Sequence, residues 1–204
     1  MHPLNRNYII IRYFLLIFGI ILFTYNAVVT DKKDEKSLTE IKPATLFNDS
    51  DILFLKNNFI AFKEALAFKE SQGKYTAINT LGYLGKYQFG ITTLDRFNIK
   101  NTESFLKNPE LQEKAFAALC SVNKWILRKD IKRKVGTTIN GITITESGIL
   151  AAAHLSGAGN VKKYLRSNGD HNLSDAYGSS IQHYMKKFAG YNLSEIEGDR
   201  KATI

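Results

Sequence analysis

Glu70 is the residue whose position most invites a chemical interpretation. Leu55, Phe59, Phe62 and Leu66 follow one another at steps of four, three and four, the repeat of one buried helix face, and a further step of four reaches Glu70. A carboxyl group at the end of an apolar stripe, facing a glycine-rich segment, is partly withdrawn from water. Desolvation favours the protonated form of a carboxylic acid, and a protonated carboxyl at neutral pH can donate to a glycosidic oxygen. On spacing alone, a C-terminal helix residue turned out to water is the simpler account of Glu70.

Downstream, Gly73, Gly82, Gly85 and Gly90 punctuate Tyr75, Tyr83 and Tyr87, the texture of a glycine-rich hairpin or irregular loop. The stretch Glu70-Ser71-Gln72-Gly73-Lys74-Tyr75, then Asn79 and Gly82-Tyr83-Leu84-Gly85-Lys86-Tyr87-Gln88-Phe89-Gly90, resembles the Glu-Ser and Gly-x-x-Gln motifs of the lytic transglycosylase catalytic domain, within the lysozyme-like superfamily. Further on, Ala153-His154-Leu155-Ser156-Gly157-Ala158-Gly159 resembles that family's third signature, usually Ala-Tyr-Asn-Ala-Gly-Pro-Gly. Three motifs in the family's order, over roughly residues 55 to 190, are far more specific than one.

The resemblance implies cleavage of the β-1,4 bond between N-acetylmuramic acid and N-acetylglucosamine in peptidoglycan strands, with no cofactor and no metal. It assigns Glu70 as general acid and then base, with Ser71 orienting it or touching substrate. Gln88 would line the cleft floor, and the segment from His154 through Gly157 to Gly159 would pack its backbone beside the cleft; Tyr83 or Tyr87, both within the second motif, is expected to line the cleft as well. His154 and Leu155 depart from the family's tyrosine and asparagine, and Ala158 from its proline. A histidine there can hydrogen-bond a carboxylate or a sugar, or simply pack in a buried helix. A non-catalytic peptidoglycan-binding or scaffolding protein on the same fold is therefore the alternative function.

Asp95, Glu103 and Asp175 are the candidates for a second carboxylate, though none sits in a motif, and Asp95 beside Arg96 reads as a surface pair. In the resembling family one glutamate suffices, because the substrate's N-acetyl group or 6-hydroxyl completes the reaction and leaves a 1,6-anhydro end. Tyr75 and Trp125 read as core aromatics rather than sugar platforms. Asp175, Gly178, Tyr184 and Phe188 read as packing elements near the C-terminus.

These residues need a scaffold, and the pattern around them predicts a mainly α fold with a small glycine-rich hairpin. Asn108-Pro109 supplies an N-cap and a proline at the first helical position for a helix from Pro109 to Arg128. Residues 136–141 form a turn, and Thr143 and Glu146 have capping-box spacing ahead of Ile149–Ala153, a run so apolar that its helix should be buried on all sides. Two shorter helices, around Val161–Arg166 and Ser179–Phe188, close the domain.

The N-terminal part has a different composition. Eighteen consecutive uncharged residues lie between Arg12 and Asp31, about the minimum for crossing a bilayer. Residues 1–30 thus read as a signal anchor or a cleavable signal peptide. Retention is favoured, because Tyr25 is too large for the small-residue position before a cleavage site after Ala27. A charged tether over residues 31–47 would lead to a catalytic domain at 48–192 and a tail at 193–204. With this anchor in the cytoplasmic membrane the domain would face the periplasm or cell wall, or be secreted after cleavage.

The chain carries 28 Lys and Arg against 19 Asp and Glu, a net charge of +9. Such a surface is drawn to polyanions in general, but no basic stripe interleaved with aromatics appears, so nucleic acid is not an expected partner. Cys120 is the only cysteine, which excludes an intrachain disulfide and a zinc site built on several thiolates.

Overall fold

The computed structural model describes residues 58–204. The apolar N-terminal segment, the charged tether and Leu55 lie outside the described residues. Within them are seven helices and one two-stranded sheet, in the order α1 Phe59–Ser71, α2 Ile91–Arg96, α3 Thr102–Leu106, α4 Pro109–Lys134, β1 Thr138–Ile139, β2 Ile142–Thr143, α5 Glu146–Ser156, α6 Ala158–Arg166 and α7 Ile181–Lys187. The fold is mainly α, and among the described residues no helix is long and apolar enough to cross a membrane.

Side-chain caps set most helix starts. Asn58, Asn101 and Asn108 each accept a hydrogen bond from a backbone N–H three residues on, and Pro109 follows Asn108 at the first helical position, as its missing N–H permits. Thr145, not Thr143, caps α5, its Oγ1 accepting from Gly148 N, and Thr143 instead closes the sheet. The strands also lie elsewhere than expected. Residues 71–90 contain only the isolated bridges Ile78 to Leu84 and Leu84 to Phe89, whereas β1 and β2 pair antiparallel around Asn140-Gly141. Both turn residues have positive φ, 48° and 76°, which matches the twist of a two-residue hairpin.

Helix α4 runs six residues beyond the expected end. Leu127 is fully buried, and so is Asp130, whose carboxylate is held by Arg133 and Arg166, so the inward face continues past Arg128. Helix α5 forms the centre: every residue from Ser147 to Ala153 is buried, with α4, α6 and α7 packed around it. The expected tail at 193–204 runs across the domain instead of away from it. Leu193 is buried, Glu195 accepts from Phe59 N at 3.0 Å, and Asp199 N donates to Ser121 Oγ at 3.1 Å.

Gly148 marks a close approach of two helix backbones in this core. A Cβ there would lie 2.5 Å from the carbonyl oxygen of Met185 and 3.0 Å from its Cα, both backbone atoms of α7. Gly148→Ala is expected to destabilise the protein by about 2 kcal/mol, since α5 and α7 must move apart to admit one methyl group. A urea titration with an unchanged midpoint would show that the two helices separate freely.

Candidate active site

The three motifs meet in space, and main-chain oxygens join them. Glu70 and Ser71 occupy the last turn of α1, which ends as Gln72 takes a left-handed conformation with φ 57°. The Ser71 hydroxyl donates to the carbonyl of Lys86 at 2.7 Å, tying the first motif to the second. From α5, His154 Nε2 lies 2.7 Å from the carbonyl of Tyr87, tying the third motif to the same loop. The carbonyl can only accept, so Nε2 carries the proton. Gln88, next in the chain after these two anchoring carbonyls, has φ 51° and donates from Nε2 to the carbonyl of Gly85 at 2.9 Å.

Around this junction lies a groove of about 710 Å³ lined by Glu70, Tyr83, Gln88, His154, Asn160, Asp175 and Tyr184, among others. That is a size typical of ligand sites. The 78–83 loop forms one wall and the 173–179 loop another, and the Thr80 hydroxyl meets the Tyr177 hydroxyl at 2.7 Å where they touch. Ile78, Leu81, Tyr83, Leu173 and Tyr177 are among the most exposed large apolar residues of the domain, and all five belong to these walls. They give the groove apolar flanks beside a polar floor, which suits sugar rings that present both faces.

Glu70 is half-buried, and Tyr184 from α7 donates its phenol to Glu70 Oε1 at 2.7 Å. Burial first, and then the neighbouring charge of Glu70, push the Tyr184 phenol above its ordinary value, so it remains a donor at any physiological pH. Tyr184→Phe keeps the ring against Phe188 and removes only this donor. A hydrogen bond to a charged group is worth about 1.5–3 kcal/mol. The variant is therefore expected to turn over peptidoglycan roughly ten- to a hundredfold more slowly, measured at a temperature where both proteins are folded. Equal rates would show that the phenol does not act on Glu70.

Four of the seven residues expected at the site, Glu70, Tyr83, Gln88 and His154, line the groove; Ser71, Tyr87 and Gly157 do not. Tyr87 is fully buried, stacked on Phe116 with ring centroids 4.1 Å apart, so it is core and not a sugar platform. Ser71 faces the second motif and works as a clamp. Gly157 is exposed, and a Cβ there would touch no protein atom within 4 Å; its φ of 78° is a conformation that favours glycine. His154 touches the groove, but its Nε2 is engaged by Tyr87 and its Nδ1 is buried, which leaves neither nitrogen for a sugar.

The other candidates also find their places. Asp95 pairs with Lys100 at 2.7 Å, not with Arg96, and Glu103 pairs with Lys107 at 2.7 Å. Asp175 does line the groove, but its Oδ1 accepts from Tyr177 N and Ser179 N at 2.9 and 2.7 Å, which holds the 173–179 turn. Trp125 packs its ring beneath the guanidinium of Arg128, 3.9 Å from its centroid. Among the described residues no three His, Cys, Asp or Glu side chains cluster closely enough to hold a metal.

Sequence reasoning missed the polar cluster behind the groove. Lys86, with 5% of its side chain exposed, donates to Glu64 at 2.6 Å and to Glu113 at 2.8 Å. Glu113, on α4, also receives Lys63 at 2.6 Å and the phenols of Tyr75 and Tyr87 at 2.8 Å each. Burial opposes its charge, but these donors outweigh burial and hold the Glu113 carboxyl down at about 2. Burial likewise pulls the Lys86 ammonium down, and its acceptors Glu113, Glu64 and Tyr75 reverse that and push it above the usual lysine value. Gln112, fully buried, completes the support: its Oε1 accepts from Lys86 N at 2.8 Å and its Nε2 donates to the carbonyls of Tyr75 and Phe105. Gly85 has no room for a Cβ against this side chain. A lysine within the aromatic and glycine-rich run 82–90 was the available signal, because a cation there needs a buried partner.

Comparison of the chain with protein-family models, characterised proteins and solved structures finds no match.

Proposed function

We propose that this protein cleaves the β-1,4 glycosidic bond between N-acetylmuramic acid and N-acetylglucosamine in peptidoglycan, as a lytic transglycosylase of lysozyme-like type that uses Glu70 as its single acid and base. The observation that carries the proposal is a half-buried carboxyl in a groove of ligand size, with one oxygen fixed by Tyr184 and Gln88 among the other lining residues. In this reading Glu70 protonates the leaving oxygen as an oxocarbenium-like state forms. It then withdraws a proton from the muramyl 6-hydroxyl, which closes onto the anomeric carbon. The engagement of Asp175 Oδ1 by its own loop supports the single-carboxylate route over one in which a second acid activates water. The apolar N-terminal segment would anchor the chain in the cytoplasmic membrane with the domain on the wall side.

Mass spectrometry of material released from purified sacculi by the full-length protein tests the proposal. Disaccharide-peptides with 1,6-anhydro ends are the expected products. Hydrated reducing ends would replace the lytic route by hydrolysis, and no release at all would leave a glycan-binding protein.

A further inference from the structure

The described residues carry 21 Lys and Arg against 13 Asp and Glu, a net charge of +8. This charge is concentrated in one place. The last turns of α4, residues 128–134, contribute five bases, and α6 contributes three more, against Asp130 alone, for a net +7; all the other described residues together sum to +1. The two segments belong to packed neighbours. Asp130, with 2% of its side chain exposed, joins them by binding Arg133 of α4 at 2.6 Å and Arg166 of α6 at 3.1 Å. That carboxylate fixes both guanidiniums side by side while more than half of each arginine side chain stays exposed, at 57% and 59%.

Helix α6, which carries part of this strip, starts at the groove. Asn160, in the first turn of α6, lines the groove; Lys163, one turn further on, is exposed, and Arg166 lies one turn beyond that. At 1.5 Å per residue, Arg166 is only about 9 Å along the helix from the groove wall. That distance is comparable to the screening length at physiological salt, about 8 Å, and shorter than it at lower salt, so the charge is felt most strongly as salt is reduced.

We propose that this strip is a second contact surface for the same polymer, taking the carboxylates of the peptide stems that leave the glycan strand held in the groove. The inference rests on the glycan-cleaving function proposed above. A ligand for the strip has to be continuous with whatever fills the groove, and in peptidoglycan the anionic groups that branch from the glycan are stem carboxylates. The strip lacks the aromatic platforms that single-stranded nucleic acid would need, and the lysines, with the guanidinium N–H groups that Asp130 does not take, are donors of the charge that carboxylates require.

The test is sedimentation of full-length Glu70→Gln protein with sacculi freed of covalently attached phosphate polymers, so that binding is read without cleavage. It is compared with the same protein carrying Lys129→Gln, Lys132→Gln and Lys163→Gln, three exposed positions outside the groove. The parent is expected to bind roughly tenfold more tightly at low salt, and this advantage should vanish as salt is raised. On glycan strands stripped of stems by an amidase, the two proteins should bind equally. Equal binding on stem-bearing sacculi, an advantage that persists on stripped strands, or an advantage found only when phosphate polymers are left in place would each overturn the assignment. Wild-type release of muropeptides, measured alongside, distinguishes failure of the strip from failure of the proposed cleavage: the first leaves release intact, the second abolishes it.

Discussion

Glu70→Gln is expected to lower glycan release by about a thousandfold, the scale of losing a positioned general acid, while the domain stays folded with its thermal midpoint unchanged. The substitution is nearly isosteric, and the amide oxygen can accept the same phenol that Tyr184 now gives to Glu70 Oε1. Only the exchangeable proton and the charge are lost. A second readout follows without any substrate. Because the charge of Glu70 contributes to holding the Tyr184 phenol protonated, the variant should ionise Tyr184 at lower pH than the parent, although burial, the larger cause, still keeps it above the ordinary tyrosine value. Ultraviolet titration of the phenols measures this. Clearing of a peptidoglycan gel by Glu70→Gln at the parental rate would remove Glu70 from the chemistry.

The largest effect on stability is expected at Glu113. Its carboxylate, 23% exposed, is the common acceptor for Lys63, Lys86, Tyr75 and Tyr87. Removing its charge leaves the Lys86 ammonium, at 5% exposure, with only the half-exposed Glu64 as counter-charge. Breaking a buried pair from one side typically costs about 3 kcal/mol or more, so Glu113→Gln is expected to unfold at markedly lower urea than the parent. The pH dependence has a definite sign. The folded-state value, about 2, lies below the usual 4.5, so the unfolded chain binds the proton first as pH falls. The stabilisation is complete above about pH 5 and disappears between there and pH 2, whereas Glu113→Gln should show a flatter acid limb. Parallel acid limbs in the two proteins would place the charge coupling elsewhere.

How much of this was legible beforehand depends on where the deciding partner sits in the chain. Helix starts were readable because a cap and the N–H that donates to it are three residues apart: Asn108 with Pro109 marked α4 correctly. The apolar stripe ending at Glu70 was equally local, and it brought the carboxyl to a groove. Tyr87 was misjudged because a tyrosine in a glycine-rich loop looks the same whether it faces sugar or core. What decides is Glu113, 26 positions away, which captures its hydroxyl, and Phe116, which stacks on its ring. Tyr184 read as packing for the same reason, since its contact with Glu70 spans 114 positions. The end of α4 was set too early because Asp130 looks like a surface acid until Arg166 of α6 is brought beside it. The capping of α5 was displaced by two residues because Thr143 and Thr145 offer the same hydroxyl, and pairing of Thr143 with Thr138 takes the first of them into the sheet.

Ser71, Gln88, Gln112 and His154 all direct a side-chain donor at a carbonyl of residues 75, 85, 86, 87 or 105. An acceptor that belongs to the peptide unit is present whatever amino acid occupies the position. The cradle around Glu70 is thus fastened to parts that mutation leaves in place, and only the donors are exposed to sequence change. A different donor of similar reach can serve at position 154 without redrawing the groove, because the carbonyl of Tyr87 that receives it stays in place.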